Sequence, residues 1–261
     1  MPHGCNVSSE QKYEYMSSAL DSEKSCFEKQ KQTQCSLENC VECGLRSSVF
    51  SSLSHLELGE LSAGKDLLVE PRGVVVAKQG DAVKKFIFLR KGLAKLSRRT
   101  EDGHEQIIGI ARPRDFVGLL SLFSSPVYQY TISTIEDSEF CIVDFKVIEK
   151  MVMENGIFAR QLLEKISLVA DRLLSTRLEL NSRQLRGRIA YIIIMFSVDI
   201  YQSDTFNLPI SRKEIGDLID MRVENVIRIL SEFRKDGIIK IEGTQIEIVN
   251  LPMLERIMQH G

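Results

Sequence analysis

The spacing of apolar residues changes once along this chain, near residue 150, and that change limits what it can fold into. From Leu67 to Val143, short runs rich in Val, Ile, Phe and Tyr are broken by turn residues. "GVVVAKQGD" reads as a strand closing on Gly80-Asp81, and "KKFIFLRKG" as a strand ending at Gly92. "LAKLSRRTEDGHEQIIGIA" reads as two strands around an Asp102-Gly103 hairpin turn. "PRDFVG" ends at Gly118, and "YQYTISTIEDSEFCIVDF" supplies two more strands. Strands at roughly ten-residue spacing predict a closed or rolled all-β domain. Upstream, the spacing of Val49, Phe50, Leu53, Leu56 and Leu58 predicts a short helix over 46–62.

Residues 155–182 read instead as one long helix. Leu162, Ile166, Val169, Leu173, Thr176 and Leu180 step by 4, 3, 4, 3 and 4, an a/d seam with Thr176 as its polar interruption. Such a stripe would also suit a helix packed on its own domain. Because this helix bridges two domains and its other faces are charged, the seam is assigned to a dimer interface.

The remainder, 183–261, reads as mostly helical. Its apolar run "IAYIIIMFSV" (Ile189–Val198) is the longest in the chain. It falls well short of the ~18 residues a membrane helix needs, so it reads as a buried helix. Further on, Ser211 and Glu214 form a capping box, and Ile215, Leu218 and Ile219 give that helix an apolar face. Asp220-Met221-Arg222 breaks it. A second helix, Val223 to Lys235, turns Val226, Ile229, Leu230 and Phe233 inward. Two short helices with a three-residue turn predict a helix-turn-helix. "IIKIEG" and "TQIEIV" around Gly243 then predict a β-hairpin wing. The outward side of the second helix carries Glu224, Ile227 and Arg228. Arg can bond guanine in a bidentate way, Glu can accept from cytosine, and Ile can meet a thymine methyl. The bland reading is a surface Glu–Arg pair four residues apart. Within a winged helix-turn-helix, the base-reading role is preferred. The residues assigned to DNA contact are Ser211, Arg222, Glu224, Asn225, Ile227 and Arg228.

Formal net charge is −2, so any nucleic-acid function must rest on such a local patch. No nucleophile–base set, phosphate loop or HExxH motif supports an enzyme. The start, "MPHGCNVSSEQKYEYM", lacks the apolar core of a signal peptide, which makes the cytoplasm the expected compartment. Residues 1–34 are polar. They are followed by "CSLENCVECG", with Cys35, Cys40 and Cys43 within ten residues. In a reducing compartment these thiols are more naturally free, redox-active or metal-bound than bridged.

A β-roll, a long helix and a winged helix-turn-helix, in that order, resemble the Crp/Fnr family of bacterial transcription regulators over about residues 43–250. The carriers are "AKQGD" (Ala77–Asp81), "FLRKG" (Phe88–Gly92), "DGHEQIIGIARPRDFVG" (Asp102–Gly118) and "SRKEIGDLIDMRVENVIRIL" (Ser211–Leu230). The resemblance implies an α+β chain in four parts: an N-terminal cysteine segment (1–45), a cyclic-nucleotide-binding-like jelly-roll sensor (46–152), a dimerisation helix (153–182) and a DNA-binding domain (183–261). It implies a homodimer on palindromic double-stranded DNA with TTGA-type half-sites, and RNA polymerase as a partner. The match is closest to the FNR branch, whose recognition helix carries Val-Glu-x-x-Ser-Arg. Here Val223, Glu224 and Arg228 match, while Ile227 replaces the Ser, Asp220 the usual turn Gly and Arg222 the usual capping Ser or Thr.

That branch binds a [4Fe–4S] cluster through an N-terminal cysteine group and one distant cysteine. Cys141 aligns with the distant one, and Cys40 and Cys43 with an N-terminal pair. The third N-terminal ligand would fall near Val49, and Cys35 lies on the other side of the pair. The resemblance thus implies an iron–sulfur site on Cys35, Cys40, Cys43 and Cys141, with Cys5 and Cys26 outside it. Four thiolates would also suit zinc, or the cysteines could bind no metal. A haem or small-ligand sensor of the same fold would leave them unused, with His55 and His104 as its candidate histidines. Cyclic nucleotide is disfavoured: the family's Glu after Gly118 is Leu119 here, and Ser124–Tyr130 lacks the family's Arg-Ser pair.

Overall fold

The computed structural model describes residues 49–101 and 103–260. Cys35, Cys40, Cys43 and Asp102 lie outside them. Val49–Ser52 form a 3-10 turn leading into α1 (His55–Ala63). Ser54 caps α1 by accepting from the Glu57 N–H, while Glu57 accepts from the Ser54 N–H.

The roll follows: β1 (Lys65–Glu70), β2 (Val75–Ala77), β3 (Lys85–Lys91), β4 (Ala94–Arg99), β5 (Glu105–Ala111), β6 (Phe116–Val117), a single turn α2 (Leu119–Leu122), β7 (Thr131–Thr134) and β8 (Ser138–Asp144). The strands form two four-stranded antiparallel sheets, ordered β1-β8-β3-β6 and β2-β7-β4-β5. In β3, Ile87 and Leu89 point between the sheets and Phe86 and Phe88 point outward under the helices. In β8, Phe140 faces inward and Cys141 and Val143 outward. Both strands are buried on both faces, which explains their nearly continuous apolar sequence.

Helix α3 (Phe145–Glu154) is capped by Asp144. This helix falls between the strand region and the long helix expected from sequence, where no element was expected. Asn155 then caps α4 (Gly156–Ser182) by accepting from the Ile157 and Phe158 N–H groups. The chain continues as α5 (Leu185–Ile194), whose last turns widen into a π-helix over Met195–Tyr201. After these come β9 (Thr205–Asn207), α6 (Arg212–Ile219), α7 (Val223–Lys235), β10 (Ile239–Glu242), β11 (Gln245–Ile248) and α8 (Leu251–His260). The apolar run at 189–198 is buried within this domain through Ile189, Ala190, Ile192, Ile193 and Phe196. Among the described residues no helix is long and apolar enough to cross a membrane.

Of the stripe assigned to dimer pairing, the two end positions are buried within their own subunit and the four between them are half-buried. Leu162 and Leu180 are 2% and 3% exposed, and Ile166 and Val169 pack on the core under the roll's outer sheet. Leu173 lies against Gly109 of β5, and Thr176 is half-buried. The opposite side of α4 exposes Leu163, Leu168, Leu174 and Leu178 at 63–70%.

Candidate nucleic-acid interface and its link to the roll

Helices α6 and α7 are built as their sequences require. Ser211 accepts from the Glu214 N–H, and Glu214 accepts from the Ser211 N–H. Ile215, Leu218, Ile219, Val226, Ile229, Leu230 and Phe233 are all buried in one core with the wing. The turn between the helices is tight: a Cβ on Gly216 would stand 2.3 Å from the Met221 carbonyl oxygen, so only glycine fits there. Asp220 takes a left-handed conformation (φ 54°), and the Met221 N–H donates to the Gly216 carbonyl. Arg222 precedes α7 without a side-chain capping bond. The wing hairpin β10–β11 forms as read, and β9 adds a third strand that the sequence had not signalled.

Glu224, Ile227 and Arg228 share the exposed side of α7, with Arg222 and Ser211 exposed nearby and Asn225 half-buried. Arg228 pairs with Glu232, four residues onward, at 2.6 Å, instead of with Glu224. Glu232 also receives Arg186 of α5 at 2.7 Å, and Arg186 reaches Asp236 at 3.1 Å.

The roll is docked directly on this domain. Leu93, Ile107 and Ile135 belong to the same core as α5–α8. Lys95 of β4 donates to Glu214 at 2.7 Å, and Arg72 to the Pro209 carbonyl at 2.8 Å. Tyr201, at the end of the π-helix, donates to Glu136 of the β7–β8 turn. Burial alone would push the Glu214 carboxyl up. The bonds from Lys95 and Ser211 outweigh that and hold it below the usual carboxylate range.

The comparisons follow this division. A cyclic nucleotide-binding domain model matches residues 69–155, and a Crp-like helix-turn-helix domain model matches 187–257. The transcriptional activator protein FnrA of Stutzerimonas stutzeri is 27% identical over 220 residues, 81% of this chain and 89% of that one. The transcriptional activator protein FnrL of Cereibacter sphaeroides is also 27% identical, covering 82% and 88%. The structure of FixK2 from Bradyrhizobium japonicum superposes with a TM-score of 0.66 at 21% identity, over 74% of this chain and 96% of that one. The chain belongs to the Crp/Fnr family. It is a transcription regulator that binds DNA through a Crp-like helix-turn-helix.

In this Crp/Fnr regulator, the corner of the roll that holds a cyclic nucleotide's phosphate in the cyclic-nucleotide branch has a different chemistry. Leu119 is buried in the helix-covered cluster, and Tyr128 and Tyr130 are buried between the sheets. The Tyr128 hydroxyl donates to the Lys85 carbonyl at 2.9 Å, and a Cβ on Gly118 would stand 3.0 Å from its ring. A cyclic phosphate needs cations or clustered N–H donors. Phenol rings and a leucine do not fit it.

Cys141 is buried on the helix-covered face of β8, opposite Leu67 of β1 and Phe88 of β3. Val49, Phe50 and Leu53 share its cluster, as do Phe158 and Leu162 of α4. Phe50 stacks on Phe158 with centroids 6.0 Å apart. Gln161 of α4 donates to the Ser51 hydroxyl at 3.2 Å. Val49, where the resemblance would place a further ligand, is a buried packing residue. His55 is exposed at the start of α1, and the largely exposed His104 lies 4.0 Å from Asp217.

Proposed function

We propose that this regulator is a redox- or gas-responsive dimer whose DNA affinity is set by thiolates at its N-terminal end. The observation that carries the reading is the placement of Cys141. It sits in the cluster where the chain following Cys35, Cys40 and Cys43 arrives, and that cluster includes α4 through Phe158 and Leu162. Val49 follows Cys43 by only six positions, an extended reach of about 20 Å. Four thiolates suit an iron–sulfur cluster, of the [2Fe–2S] or [4Fe–4S] type. When bound, such a group supplies iron–thiolate bonds that dioxygen or nitric oxide can break.

Cys35, Cys40, Cys43 and Cys141 would then tie the N-terminal segment to β8. Phe50, Ser51 and Leu53 would hold α4 in place. The exposed leucines of α4, Leu163, Leu168, Leu174 and Leu178, would meet the same stripe of a second subunit. Two α7 helices would enter successive major grooves about 34 Å apart, reading TTGA-type half-sites through Glu224 and Arg228 and presenting the dimer to RNA polymerase. Once the thiolate tie is lost, Val49–Leu53 release α4 and DNA affinity falls.

The test is to purify the protein without air, record its visible spectrum with iron and sulfide content, and titrate palindromic DNA before and after air exposure. The expected outcome is a coloured, iron-containing protein that binds DNA more tightly before air. Colourless, iron-free protein with equal affinity in both states would overturn the reading.

A further inference from the structure

The contacts of Arg228 suggest a control on DNA reading that its own position does not reveal. An Arg–Glu pair at i and i+4 on an exposed helix contributes little to stability, and both partners ordinarily move freely. Glu232 is not free. Its Oε1 accepts from Arg228 Nη1 at 2.6 Å, while its Oε2 accepts from Arg186 Nη1 at 2.7 Å, from a different helix. Arg186 is fixed in turn. Its Nη2 donates to Asp236 at 3.1 Å, and its guanidinium lies 5.0 Å above the ring of fully buried Phe233. The carboxylate is therefore held from behind while it holds Arg228 in front.

We propose that Glu232, braced by Arg186 and Asp236, is a positioning residue that sets how Arg228 presents itself to a base pair. A guanidinium has five N–H donors. With Nη1 occupied by Glu232, the Nε and Nη2 edge remains for a bidentate bond to guanine O6 and N7. Holding that edge before DNA arrives lowers the ordering cost of the specific contact. The carboxylate also stands beside a face that approaches phosphates, so it opposes binding that does not use the base contact. Glu232 thus favours discrimination at one base pair of each half-site and works against affinity for unrelated DNA. The proposal rests on the reading of Arg228 as a base contact.

The test selects bound sites from a DNA pool with randomised palindromic half-sites, at one fixed salt concentration. It then measures affinities for the selected sites and for unrelated DNA. The proteins are the full-length wild type, Arg228→Ala, Glu232→Gln and Arg186→Lys. Arg228→Ala should flatten the preference at one symmetric base pair. Glu232→Gln should weaken the preference at that same pair about tenfold, and bind unrelated DNA more tightly. Arg186→Lys, which keeps the charge but loosens the brace, should shift both quantities in the same direction by less. If Arg228→Ala flattens the pair but Glu232→Gln keeps the wild-type profile, the positioning role is overturned while the base contact stands. If Arg228→Ala itself leaves the profile intact, the base contact fails and the proposal with it. A uniform loss of affinity at every position, with a lower melting temperature, would mark Glu232 as a structural brace and also overturn it.

Discussion

Helix α7 has one apolar stripe, whereas α4 has two. In α7, Val226, Ile229, Leu230 and Phe233 are buried, and the other side carries Glu224, Arg228 and Glu232. Only one side of such a helix can be left in water cheaply, so its orientation follows from its sequence. In α4, Phe158, Leu162, Ile166, Val169 and Leu180 turn inward, while Leu163, Leu168, Leu174 and Leu178 remain outside. The inner stripe has the more regular spacing. The outer stripe is interrupted by Ser167, Ala170 and Asp171. A regular stripe thus says that a face is buried, and not by what.

That contrast can be broken most sharply at the inner stripe. Phe158→Ala removes a fully buried ring stacked on Phe50, and should cost about 3–5 kcal/mol in thermal or denaturant unfolding. A loss below about 1 kcal/mol would show that the inner stripe does not support the roll. Charges on the outer stripe should act differently. Leu163→Glu combined with Leu174→Glu should leave the far-UV circular dichroism native. Sedimentation should report a monomer, and affinity for a palindromic site should fall roughly a hundredfold, since a monomer engages one half-site. A double variant that still sediments as a dimer would place the interface elsewhere.

The smallest effect concerns the docking of the roll on α6. The Glu214 carboxyl lies below its ordinary value of 4.5 because Lys95 and Ser211 outweigh the cost of burial. A lowered value in the folded state stabilises that state above the unfolded value, and the benefit is lost as pH falls below it. Glu214→Gln should therefore lower the melting temperature by the equivalent of at most about 1 kcal/mol near neutral pH, and the gap to wild type should close as pH drops below 4.5. A gap unchanged down to acid pH would mean that the Lys95–Glu214 bond does not contribute.

The strands of the roll, the capping boxes and both helices of the helix-turn-helix were readable from sequence. Each depends on neighbours within one segment: Ser211 and Glu214 are three residues apart, and the β4–β5 hairpin closes over a few residues. Helix α3 escaped because its ten residues lie between the last strand and the long helix, too short a stretch for the spacing of Ile148 and Met151 to stand out. Of the DNA-contact set, Glu224, Ile227 and Arg228 emerged together on one exposed face, as their i, i+3, i+4 spacing requires. The Arg228–Glu232 spacing was equally visible, but nothing local distinguishes it from an ordinary surface pair.

By itself, then, the sequence determined the elements, their order, and the exposed face of α7, because periodicity, caps and turns act over a few residues. Tertiary structure alone decided which stripe of α4 belongs to its own roll, and which ions meet. Lys95 and Glu214 are 119 residues apart, and Arg186 and Glu232 are 46 apart. Such contacts depend on how two finished elements dock, and no repeat within either element encodes the distance between them.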